Sequence, residues 1–99
     1  MTPLPYQLRP LAEAELADAA ERYERQRAGL GFDFRAAVLT TLDRIAAQPR
    51  LYAVEHRDIR LAPVGGYPFV VCYRVRPGRL VVVSVFHTSR DPSVWQGRT

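Results

Sequence analysis

The side chains most suited to chemistry lie in the second half of the chain: Arg57, Arg60, Arg74, Arg76, Arg79, His87, Arg90 and Trp95, with Tyr52, Tyr67 and Tyr73 interleaved. Guanidinium groups present a planar fork of donors to phosphate or carboxylate, and aromatic rings offer stacking faces. The mixture suits a nucleic-acid backbone or an acidic peptide. Residues 1 to 50 hold seven Arg and seven acids, whereas residues 51 to 99 hold seven Arg against Glu55, Asp58 and Asp91, so the whole net charge of +4 belongs to the second half. All 14 basic residues are Arg and none is Lys. Either codon bias or the planar donor fork of Arg can explain the choice of Arg over Lys, but codon bias cannot explain the asymmetry, which suggests an anionic partner.

Other chemistries are poorly served. His56 and His87 are far apart and Cys72 is alone, so no pair has the short spacing of a zinc site, and no metal is expected. Cys72 within Val-Val-Cys-Tyr reads as a small core hydrophobe rather than a nucleophile. Gly29-Leu30-Gly31 lacks the rest of a phosphate loop, and no cofactor is implied. The N-terminus has no signal-peptide layout, no apolar run reaches the roughly 20 residues of a membrane span, and a single Cys cannot close an internal disulfide. These features point to one cytoplasmic domain over residues 1–99, with 47% hydrophobic and 24% charged residues.

Elements must hold these groups in place. Leu4, Tyr6 and Leu8 alternate as a strand that two prolines confine to an edge. From Pro10 to about Arg27, Ala12, Leu16, Ala19, Ala20 and Tyr23 form one helical face, with Asp18/Arg22 and Glu21/Arg25 as i,i+4 pairs outside. Gly29-Leu30-Gly31 breaks this helix, and Phe34, Val38, Leu42 and Ile45, widened by Leu39 and Ala46, line a second one ending near Ala47 before Pro49. Arg50 to Glu55 reads as a linker. Strands follow at Arg57–Pro63, Phe69–Arg76 and Arg79–His87, the last two joined by Pro77-Gly78. The order β-α-α-β-β-β predicts an α+β domain, with a two-helix hairpin on one face of a mainly antiparallel four-stranded sheet.

If Arg76 stands opposite Arg79, alternation puts Phe69, Val71, Tyr73, Val75, Leu80, Val82, Ser84 and Phe86 on one face. The other face carries Val70, Cys72, Arg74, Arg76, Val81, Val83, Val85 and His87. Only the first is free of charge, so it belongs under the helices. The second is expected to be an open, Arg-rimmed binding surface. Pro-Gly disfavours a two-residue hairpin and leaves room for a bulge, but the alternation within each strand is expected to hold.

The order of Tyr6, an Ala/Glu-rich helix ending in Tyr23, Gly29-Leu30-Gly31 with Phe34, Pro49, Tyr52, Arg57, Arg60, Tyr67-Pro68-Phe69, Tyr73, and His87 with Arg90, Pro92 and Trp95 resembles the RelE/ParE family of bacterial toxins. The resemblance implies the toxin half of a type II toxin-antitoxin module, a plasmid stabilisation protein neutralised by a cognate antitoxin whose flexible segment wraps it. Two targets follow from it. RelE-like members cut ribosome-bound mRNA, which here implies His87 as acid or base with Arg90 and Arg60 as charge clamps. ParE-like members inhibit DNA gyrase. Val70 stands where the nuclease branch carries an Arg, and Trp95 where it carries a catalytic Tyr, so the chain looks closer to the ParE-like branch. Its partner surface is then expected at Arg57, Arg60, Arg74, Arg76, Arg79, His87, Arg90 and Trp95, whichever of gyrase, the ribosome or the antitoxin binds. A non-toxic nucleic-acid-binding module is a further alternative.

Overall fold

The computed structural model describes residues 2–98. Strand β1 (Tyr6–Leu8) leads into helix α1 (Pro10–Gln26), in which Pro10 occupies the first turn, where a missing N–H costs nothing. Gly29, at φ 90°, turns the chain into helix α2 (Leu30–Ala47). Glu24 of α1 caps this second helix, its carboxylate accepting the Gly29 N–H at 3.0 Å and the Gly31 N–H at 3.0 Å. The hairpin closes tightly because Gly31 has no side chain: a Cβ there would stand 2.5 Å from the Ala20 carbonyl oxygen.

Ala12, Ala19 and Ala20 of α1 and Phe34, Val38, Leu42, Ile45 and Ala46 of α2 are buried as the helical periodicity predicts. Leu39 is not part of that stripe and stays 51% exposed. The helices cover a sheet of five strands in the order β1-β5-β4-β3-β2. These are β2 (Val54–His56), β3 (Ile59–Pro63), β4 (Phe69–Arg76) and β5 (Arg79–His87). The fifth strand corrects the expected count of four. Val54–His56 pairs antiparallel with β3 through an irregular register, in a stretch that reads as linker because only three residues pair and its Val is exposed. Arg57 is not in a strand but in the turn between β2 and β3, at φ 53°. β1 lies at the opposite edge and runs parallel to β5, with Tyr6 opposite Leu80.

Arg76 does stand opposite Arg79, and Tyr73 opposite Val82. The next pair is Cys72 with Ser84, so Val83 is an extra residue on β5. Beyond it the expected alternation is inverted. Val85 packs under the helices, Phe86 joins the opposite face, and His87 stands opposite Phe69 on the helix side. The helix-side core is centred on Tyr23, Phe34, Tyr67 and Phe69, with ring centroids 4.9–5.2 Å apart for Tyr23–Phe34, Tyr23–Tyr67 and Phe34–Phe69. Tyr73 is fully buried and donates its hydroxyl to the Pro49 carbonyl at 2.8 Å, which fixes the exit of α2 over the sheet.

The second face is not open. A short helix α3 (Ser93–Gln96) lies over it, placing Trp95, 3% exposed, in a cluster with Ile59, Cys72, Val81, Val83 and Phe86. No helix among the described residues is long and apolar enough to cross a membrane.

Candidate functional site

The arginines expected to form one rim have separate environments. Arg74 points to the second face, is 6% exposed, and has Nη2 3.5 Å from Asp58 Oδ1. Arg76 donates to the other oxygen of Asp58 at 2.8 Å. Burial pushes the Asp58 carboxyl up, but the Arg76 hydrogen bond, the two guanidinium charges and a backbone hydrogen bond outweigh it and hold the group below its ordinary value. Arg60 stands beside Tyr73 on the helix side of the sheet and donates to the Tyr52 carbonyl at 2.6 Å. Trp95 is buried, its ring edge-on to His56 at 5.8 Å. Of the eight side chains expected at the partner surface, Arg57, Arg79 and Arg90 remain exposed and outside any ion pair among the described residues.

His87 is where the bulge matters. Its ring packs edge-on to Phe69 at 5.0 Å. Its Nδ1 accepts the Ser89 N–H at 3.1 Å and lies 2.8 Å from the Ser89 hydroxyl. A backbone N–H only donates, so Nδ1 holds a lone pair and a neutral ring carries its proton on Nε2. His87, Ser89 and Arg90 line a cleft of about 250 Å³ between the end of β5 and α1. Glu15, Asp18, Ala19 and Arg22 of α1 form its other wall, and Phe69 and Val85 supply apolar surface. Sequence reasoning placed Arg22 in a solvated i,i+4 pair with Asp18. No such ion pair forms, although Arg25 does bond Glu21 at 2.6 Å. Only the inverted phase of β5 brings α1 into this site, and nothing in an apolar run signals it.

The cleft therefore unites His87 and Arg90, two of the three groups a nuclease reading requires. The third, Arg60, lies on β3, two strands from His87, and four residues further along the sheet, beside Tyr73 rather than Phe69, an offset of about 13 Å along the strands alone at the strand rise.

A second feature closes the edge of β5 beyond β1. Glu15 of α1 accepts from the Ser84 hydroxyl at 2.9 Å and the Val85 N–H at 3.2 Å, and meets Arg98 at 2.8 Å. Arg98 also donates to the Val83 carbonyl at 3.0 Å. Helix and C-terminal segment thus satisfy the backbone that β1, only three residues long, leaves unpaired.

Comparison with known proteins agrees with this architecture. Among solved structures, a chain of the chromosomal ParDE TA system from P. aeruginosa superposes with a TM-score of 0.76 at 11% sequence identity, covering 87% of this chain and 97% of that one. At that identity the likeness speaks for the fold. No curated protein matches the sequence. The family model for the ParE toxin of the type II toxin-antitoxin system, parDE, matches residues 6–92. With that match spanning α1, α2 and all five strands, the chain belongs to the ParE toxin family.

Proposed function

We propose that this ParE-family chain arrests bacterial growth from the cytoplasm by binding DNA gyrase, and that a cognate antitoxin neutralises it. The observation that carries this reading is the burial of Trp95 at 3% exposure in an apolar cluster that Val70 packs against. The two positions where a nuclease relative holds reacting groups are here part of a hydrophobic layer, and an indole N–H is neither an acid nor a base at neutral pH. The separation of Arg60 from His87 and Arg90 supports the same conclusion.

The antitoxin proposal rests on charge. Arg57, Arg79 and Arg90 are exposed and outside any ion pair among the described residues, whereas Arg74 and Arg76 are tied to Asp58. An acidic segment folding onto the chain would engage the first three. Charge reversal at Arg79 and Arg90 should then weaken the complex more than reversal at Arg25, which already pairs with Glu21.

A ribosome-dependent endoribonuclease is the second reading, favoured by the shared cleft of His87 and Arg90. Purified protein assayed in parallel for gyrase supercoiling and for cleavage of ribosome-bound mRNA separates the two. Loss of supercoiling without cleavage is expected; cleavage abolished by His87→Ala, with supercoiling untouched, would overturn the gyrase reading.

A further inference from the structure

The cleft at His87 continues along α1. A neighbouring hollow of about 170 Å³ shares Ala19, Arg22, Phe69 and His87 with it and extends to Tyr23 and Gln26. Neither hollow alone reaches the roughly 300 Å³ at which small-molecule sites begin, but as one groove they do. The two ends differ chemically. Toward one, Arg22, His87 and Arg90 line the hollow, neither Arg in an ion pair among the described residues; Ser89 occupies the Nδ1 of His87, and the lining carboxylate of Glu15 is already engaged by Ser84, Val85 and Arg98. At the other, the Gln26 amide, which both donates and accepts, stands beside Tyr23, and Phe69 contributes apolar surface between them.

We infer that this groove binds a nucleoside monophosphate. Donors approach the charged end from both walls, Arg22 on the helix and His87 with Arg90 on the strand end. That arrangement suits a tetrahedral phosphoryl group, whose several oxygens accept from different directions, better than a planar carboxylate. Asp18, on the same rim and free of any ion pair among the described residues, is the acceptor a ribose hydroxyl requires. Gln26 is suited to the polar edge of a base, and the apolar floor to its face. A metal-independent, charge-steered site of this kind binds more weakly as salt rises. The groove includes the His87 and Arg90 cleft that favours the endoribonuclease reading, but binding a mononucleotide there requires neither cleavage nor gyrase, so its failure would leave both target readings standing.

The test is a titration of the full chain with AMP, adenosine and inorganic phosphate, followed by backbone amide NMR shifts. AMP should move the amides of Ala19, Arg22, Gln26 and His87 and bind at least about tenfold more tightly than adenosine or phosphate. Arg22→Ala should weaken AMP binding at least about fivefold, while Arg44→Ala, an exposed arginine on α2 remote from the groove, should leave it unchanged. Gln26→Ala should weaken AMP but not phosphate. Both wall residues are exposed, so circular dichroism should report an intact fold. Equal binding of phosphate and AMP, or shifts that ignore Arg22→Ala, would overturn the assignment.

Discussion

Glu15 and Arg98, 83 residues apart, meet at 2.8 Å and together close the β5 edge. Their side chains are only 16% and 18% exposed, so removing one leaves its partners poorly solvated. Glu15→Ala strands the Ser84 hydroxyl, the Val85 N–H and a guanidinium, and should cost about 2–4 kcal/mol. Arg98→Ala leaves Glu15 two of its donors and should cost about half as much. Urea unfolding of the two variants checks the ranking; equal losses would mean that the edge contacts add nothing beyond the ion pair.

Asp58 sets an acid limit. Its carboxyl lies below its ordinary value in the folded chain because the Arg76 hydrogen bond and the Arg74 and Arg76 charges outweigh burial. The unfolded state therefore takes up a proton first, so the contribution is complete above the unfolded pKa of about 3.9 and fades as pH falls through the lower folded value. Asp58→Asn should lower stability at pH 7 by about 1–2 kcal/mol, more than an exposed pair because Arg74 stays buried. The variant should also show a shallower decline between about pH 5 and pH 2 than the parent. Unfolding curves across that range check both.

Burial pushes the Cys72 thiol up to about 12, with the nearby Glu15 charge adding to the effect. At pH 8 the group is a thiol inside a sealed face, so iodoacetamide should leave the folded protein unmodified and label it fully in urea. Intact mass spectrometry reads the result. Rapid labelling without denaturant would show that the Trp95 layer opens readily.

Gly31→Ala gains about 1 kcal/mol of helix propensity and still should destabilise the protein by about 1–3 kcal/mol, because the added Cβ meets the Ala20 carbonyl at 2.5 Å and a backbone atom must move. The expected signature is a lower thermal midpoint with unchanged helical circular dichroism at low temperature.

Local signals account for the parts of the fold that could be read in advance. Pro10, Gly29 and Pro49 mark the helix ends, and Val-rich runs flanking Pro77-Gly78 mark the central hairpin. The misread parts depend on distant partners. Val54–His56 is a strand because β3 lies beside it, not because three residues show a period. Trp95 covers the second face because α3 folds back over it, and Arg98 is held by a helix at the far end of the sequence. The cleft itself could not be read, since Val81-Val82-Val83 is apolar throughout and carries no mark of a change in phase.

That change of phase makes the location of His87 a matter of counting. Deleting Val83 would restore a regular ladder and leave His87 opposite Phe69 beside Arg22, whereas keeping Val83 and pairing it without the bulge would send His87 to the layer beneath Trp95. Homologous chains that lack the extra residue would therefore still display the same terminal residues on the same side of the sheet. An alignment that places the gap anywhere but at Val83 would equate side chains that face opposite sides of the sheet.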